Sequence, residues 1–156
     1  MKVGVSKVDI TPELKGIAML GYGVPHHTIK GVSTRIFARA FYIESNQNST
    51  AILVAEIGFF TPILRTKILD ILQSQYSELN ITENNLLLCA QHTHSAPGGF
   101  SYHPMYNITT PGLRKSILKF YSEQMALAIY EAFKNKTSGN IKLGKGDIDE
   151  SENVSF

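Results

Sequence analysis

One cysteine, Cys89, occurs in the whole chain, so no intrachain disulfide can form. Its place inside the apolar run 86–90 marks it as a small buried hydrophobe rather than a nucleophile. Long apolar runs are missing too. None can cross a bilayer, and there is no heptad pattern, low-complexity tract or internal repeat. Charge of one sign is scarce: the formal net charge is +2, Lys and Arg are scattered, and the aromatics do not interleave with them. That argues against a nucleic-acid surface. The glycine-rich loop 18–27 is not followed by Gly-Lys-Ser/Thr, so it is no phosphate cradle. No signal peptide is visible, because Met1-Lys2-Val3-Gly4 runs straight into a strand-like pattern. Either the protein is cytoplasmic or a leader precedes Met1. Five Asn-x-Ser/Thr triplets, at Asn48, Asn80, Asn107, Asn135 and Asn153, are compatible with secretion and equally with an Asn- and Ser-rich bacterial chain.

What is present is the composition of one ordinary globular unit, 43% apolar and 18% charged over 156 residues, enough to bury a core. Val3, Val5 and Val8 lie in an extended run that Pro12 closes. Residues 35–43 predict a strand with Ile36, Ala38, Ala40 and Tyr42 on one face. Residues 51–57 read as a strand buried on both faces, with Glu56 as its polar exception. Thr61 can cap a helix with Pro62 at its first position, and Leu64, Ile68, Leu72, Tyr76 and Leu79 keep helical spacing. The apolar run 86–90 is the next strand. A second helix is expected over about 113–133, and a final strand over 141–146. Strand, helix, strand implies a βαβ unit with parallel strands and a right-handed crossover. The fold class is therefore α/β, a mixed sheet with a βαβ unit and flanking helices. The chain stops at Phe156 with little after the last strand, which reads as a truncation.

The stretch that carries chemistry is Gln91-His92-Thr93-His94-Ser95-Ala96-Pro97-Gly98-Gly99. On an extended chain His92 and His94 project to one face, and Gly98 and Gly99 let the following turn bend sharply. Two imidazoles approaching one point suit a metal or an oxyanion; two surface histidines before a turn are the plainer reading. Parallel strands would bring Glu56 to the same sheet edge, where ligands of open α/β sheets bind. A carboxylate paired to an Arg or to backbone amides is the equal alternative for Glu56. His-x-His also occurs in metallo-β-lactamase-like proteins, but Ser95-Ala96 stands where their Asp-His would follow. A metal-dependent barrel would need more βα units than this chain has.

Several blocks together resemble one family. Asp9-Ile10-Thr11, Met19-Leu20-Gly21-Tyr22-Gly23, residues 34–41, His92-Thr93-His94-Ser95-Ala96-Pro97-Gly98-Gly99, Tyr106-Asn107-Ile108-Thr109 and Lys145-Gly146 look like the amino-terminal part of the neutral (alkaline, non-lysosomal) ceramidases. They come in family order and cover the chain from about Val8 to Asn153. The resemblance implies that residues 1–156 are a single unit, the amino-terminal part of a larger layered α/β catalytic domain. It implies a zinc-dependent amidase that cleaves the N-acyl bond of ceramide, a secreted or cell-surface enzyme acting on a lipid-like small molecule. By motif match His92 would be a zinc ligand (Zn2+) and His94 the group that contacts the reacting carbonyl or its oxyanion. Gly21 and Tyr22 would line the same pocket. Zinc with one open position lowers the pKa of bound water to about 7 and polarises a carbonyl. An acyl chain would need an apolar groove, for which residues 100–106 and Met19-Leu20 are the candidates.

The chain departs from the family pattern in two places. The remaining zinc ligands of the family, a His, a Glu and a Tyr, lie beyond Phe156, and His26, His27 and His103 have no ligand spacing to His92. The segment alone is therefore expected neither to hold zinc tightly nor to turn over substrate. Asn153-Val154-Ser155 stands where the family carries Asn-Arg-Ser, and a valine cannot make a charge-assisted bond to a substrate oxygen. His27 in place of the common Gln, and Ala96 in place of Gly, are milder changes. The alternatives are a metal hydrolase of the same scaffold acting on another N-acyl or ester compound, and a non-catalytic binding or structural relative.

Overall fold

A computed structural model describes residues 1–13, 15–22, 24, 26–46, 48–107, 110 and 112–147. Strand β1 (Lys2–Asp9) pairs antiparallel with β2 (Phe37–Ser45), and β2 pairs antiparallel with β3 (Asn48–Ala55). Helix α1 (Pro62–Gln75) then crosses to β4 (Leu86–Ala90), which runs parallel to β3. Helix α2 (Lys115–Lys134) and the two-residue strand β5 (Thr137–Ser138) close the described fold. The sheet order is β4-β3-β2-β1-β5. This is the mixed α/β sheet with a βαβ unit that the hydrophobic pattern predicts.

Local chemistry sets the element ends. The Thr61 hydroxyl accepts the Leu64 N–H at 3.2 Å and donates to the Phe100 carbonyl at 3.0 Å, so the α1 cap also ties down the loop beyond the histidines. Pro62 opens that helix, where its missing N–H costs nothing. Asn46 supplies a left-handed residue (φ 48°) in the hairpin between β2 and β3.

Both helices lie on one side of the sheet. Helix α2 packs on β1, β2 and β3, and α1 packs on α2. The covered sheet face carries Ala38, Ala40, Tyr42, Ala51, Leu53 and Ala55, all buried. Strand β1 lets α2 come close because its inward positions are small. The Ser6 hydroxyl donates to the Ala128 carbonyl at 2.6 Å, and a Cβ at Gly4 would run into the Ala132 carbonyl. Gly4→Ala is therefore expected to cost about 3 kcal/mol, the upper end for overpacking, and to lower Tm by roughly 6–12 °C. A thermal melt followed by circular dichroism checks this; an unchanged midpoint would show that α2 gives way freely.

Three expectations need correction. Strand β3 is buried on one face only: Ile52 and Val54, on the other, are half-exposed because no described helix covers that side. Cys89 lies on the same uncovered side and is half-buried, not buried. Residues 141–146 form no strand. The β1 edge is taken instead by Thr137 and Ser138, and Ile141 and Leu143 are left at 57% and 99% exposure. In addition α1 ends at Gln75, and Leu79, although it keeps the helical stripe's phase, reaches the core from a separate 3-10 turn, Ser77–Leu79.

Candidate functional site

Strand β4 ends at Ala90, two residues before the first histidine. His92 then adopts a left-handed backbone, φ 59°, which a non-glycine residue takes only under constraint. The constraint is visible. His92 Nδ1 lies 2.6 Å from the Gly58 carbonyl oxygen, so Nδ1 carries the proton and donates, and Nε2 is left with a free lone pair. Gly58 follows the carboxyl end of β3, and a Cβ there would collide with the Leu20 side chain. The parallel β3–β4 pairing thus delivers both partners of the His92 clamp to one edge.

His94 turns its ring toward the same point. The two Nε2 atoms are 3.4 Å apart, with ring centroids at 5.0 Å and planes at 76°. His92 is exposed and His94 half-buried. Gly21, at φ 84°, backs the His94 ring: a Cβ at this position would stand 2.5 Å from both Nδ1 and Cε1. The Tyr22 ring meets His94 edge-on at 6.1 Å and His27 at 4.9 Å. The glycine loop is stapled to the histidine segment by backbone bonds. Leu20 N–H donates to the Ala96 carbonyl (3.0 Å), and Gly98 N–H donates to that of Ala18 (3.1 Å).

The flanking positions alternate. Gln91, Thr93 and Ser95 line a cleft of about 880 Å³ together with Glu56, Met19 and residues of the 26–36 loop, whereas His92, His94, Gly21 and Tyr22 are not part of its lining. Thr11 and Arg35, also in its lining, bond Asp9 and hold its carboxyl below the usual range, Thr11 more than Arg35. Glu56 reaches this edge as expected, yet both its oxygens are engaged. Oε2 accepts the Phe37 N–H at 2.8 Å and Oε1 pairs with Arg39 at 2.6 Å. The carboxylate locks the start of β2 to the end of β3.

Of the apolar candidates, Leu20 and Phe100 are core residues, 6% and 1% exposed. Tyr102, Met105 and Tyr106 are open, and Tyr106 packs on Phe59 at 4.7 Å. Gly58, Phe59 and Arg39 are the participants that sequence reasoning missed. A glycine directly beyond a parallel strand's carboxyl end was the available signal for the first. Gly23, Ile108, Thr109 and residues 153–155, Val154 included, lie outside the described residues.

The donor set suits a metal ion in part. The bond from Nδ1 to the Gly58 carbonyl leaves His92 Nε2 available to an ion, with His94 Nε2 3.4 Å away as a neighbour that can donate to a group bound there. Among the described residues no third His, Cys, Asp or Glu joins them in a ligand cluster.

The comparisons with known proteins converge. The family model described as neutral/alkaline non-lysosomal ceramidase, N-terminal, matches residues 1–155. A neutral ceramidase of Drosophila melanogaster is 35% identical over 149 residues, covering 94% of this chain and 21% of the relative. That of Pseudomonas aeruginosa is 30% identical over 149 residues, 94% of this chain and 22% of the relative. The crystal structure of the Pseudomonas aeruginosa neutral ceramidase superposes with a TM-score of 0.82 at 31% identity, over 86% of this chain and 22% of that one. A structure described as ceramidase complexed with C2 gives 0.81. The chain thus spans about a fifth of the length of the relatives it matches, and by a match that runs nearly end to end it belongs to the neutral/alkaline non-lysosomal ceramidase family.

Proposed function

We propose that this chain is the amino-terminal part of a zinc-dependent amidase that hydrolyses the N-acyl bond of ceramide to fatty acid and sphingosine. The observation that carries the reading is the convergence of His92 and His94 within a segment that belongs to the ceramidase family. His92 would hold the ion through Nε2, the Gly58 carbonyl fixing its tautomer and aim. When bound, zinc polarises the scissile carbonyl and lowers the pKa of water toward 7. His94 presents Nε2–H to the oxygen on which negative charge develops, and Gly21 holds its ring from behind. Tyr106 packed on Phe59, next in sequence to Gly58, offers an apolar surface on which an alkyl chain excludes water, and Tyr102 and Met105 are exposed in the same loop as Tyr106.

The test is hydrolysis of a fluorescent ceramide, followed as released free amine, by the full-length polypeptide with and without zinc. Zinc-dependent release is expected. Val154, where the family carries Arg, favours a second reading with the same scaffold and another N-acyl or ester substrate. Intact ceramide alongside a cleaved short amide or ester would replace the first reading by the second.

A further inference from the structure

The cleft of about 880 Å³ beside the histidine segment has no part in the hydrolytic chemistry proposed above. Among the described residues its one lining carboxylate is Glu56, whose oxygens are both engaged, by Arg39 and by the Phe37 N–H. Arg35 is likewise spent on Asp9 at 2.6 Å. Lys30 lines the cleft too, is exposed, and has no carboxylate partner among the described residues. The cleft therefore carries an uncompensated positive charge. Neutral donors surround it. Thr93 Oγ1 is taken by the Ser95 N–H at 3.2 Å, but the hydroxyls of Thr28, Ser33, Thr34 and Ser95 bond no other described residue. His27 adds one more. Its Nδ1 is buried without a partner among the described residues, and a buried N–H with no acceptor costs more than an idle lone pair. The proton therefore sits on Nε2, the nitrogen left to meet a ligand.

We infer that this cleft is a second ligand site, separate from the histidine pair, that takes a phosphate monoester carried on a small apolar body. The donors come from two walls, the 26–36 loop and Ser95 of the histidine segment. That surrounds a tetrahedral oxyanion, which accepts on every side. A planar carboxylate is normally met by an arginine fork, and the only arginine in the lining is already paired. The volume is far larger than a bare phosphate needs and lies within the range of small-molecule sites. Met19, Ile29 and Pro97 supply apolar wall for the rest of the ligand. Binding here is separate from turnover, so the inference stands or falls apart from the ceramide reading.

The test is calorimetric titration of the full-length polypeptide with hexyl phosphate. Saturable binding is expected, weakened at least about ten-fold by Lys30→Glu and kept by Lys30→Arg. His27→Phe, which retains a ring beside Tyr22 and removes the donor, should weaken it as well. If that variant melts early by circular dichroism, Lys30→Glu decides alone, because its side chain is exposed. His92→Asn should leave the affinity unchanged, which separates this site from phosphate held on a metal. No saturation up to about 10 mM hexyl phosphate would overturn the inference. Affinity lost in His92→Asn and kept in Lys30→Glu would overturn it too, by placing the phosphate at the histidine pair. Hexanoate bound as tightly as hexyl phosphate would refute the choice of phosphate. Association with phosphatidic acid vesicles, with none for hexyl phosphate, would put the phosphate on a membrane lipid and overturn a soluble ligand.

Discussion

His92→Asn is expected to strip zinc from the full-length protein and to abolish its hydrolytic activity while leaving the fold intact. Asparagine is the informative substitution because position 92 has φ 59°. Alanine there would add roughly 1–2 kcal/mol of backbone strain and confuse ligand loss with unfolding, whereas Asn tolerates the left-handed region. The imidazole contributes two things at once. Nδ1–H anchors the ring to Gly58, and Nε2 is left to bind the ion. Its loss removes a metal contribution worth several kcal/mol of transition-state charge stabilisation, so activity should fall by about 10³-fold or more. Zinc measured by elemental analysis after gel filtration should drop toward background, with a circular-dichroism melt close to that of the parent. Retained stoichiometric zinc would refute the ligand assignment of His92, and with it the tautomer argument.

How far the sequence discloses this site depends on which physical rule governs each residue. The sheet was legible because alternation and apolar runs report burial directly: Ala38, Ala40 and Tyr42 share a buried face as the period of two requires. The histidine pair was legible for a reason that the structure replaces. An extended chain was expected to send both rings one way, but β4 ends at Ala90 and a left-handed turn at His92 does the work. Positive φ at a histidine has no sequence signature, since it is imposed by a carbonyl 34 positions earlier. Glu56 shows the opposite case. Its position at the sheet edge follows from parallel topology, but its engagement with Arg39 and the Phe37 amide depends on side-chain reach across β2. Periodicity carries no information on that. The same limit explains residues 141–146, whose apolar alternation has strand propensity but whose edge of β1 is already occupied by Thr137 and Ser138.

Gly21→Ala is expected to lower kcat by about 10²–10³-fold without releasing zinc, the loss typical of removing one oxyanion donor. The glycine makes no chemical contribution of its own; it acts on His94 as a positioning residue. A methyl group at position 21 would stand 2.5 Å from Nδ1 and Cε1 of that ring, and one side must move. The backbone of residue 21 is poorly placed to yield, because Leu20 is bonded to Ala96 and packed under Gly58. The His94 ring is the free end. It is half-buried, and its contacts with Tyr22 and His92 are edge contacts that a rotation breaks at small cost. Displacement of about 1 Å suffices to lose a hydrogen bond made only as charge develops on the carbonyl oxygen. His92 keeps its clamp to the Gly58 carbonyl, so metal content should stay at the parent value while turnover falls. The left-handed φ of 84° adds roughly 1 kcal/mol of strain, visible as a small drop in Tm. His94→Ala should depress kcat to a similar degree, and the double substitution should add little, because both remove one interaction. Fully additive losses in that cycle, or a Gly21→Ala protein with parental kcat, would show that the ring is positioned by something other than the absence of a side chain at residue 21.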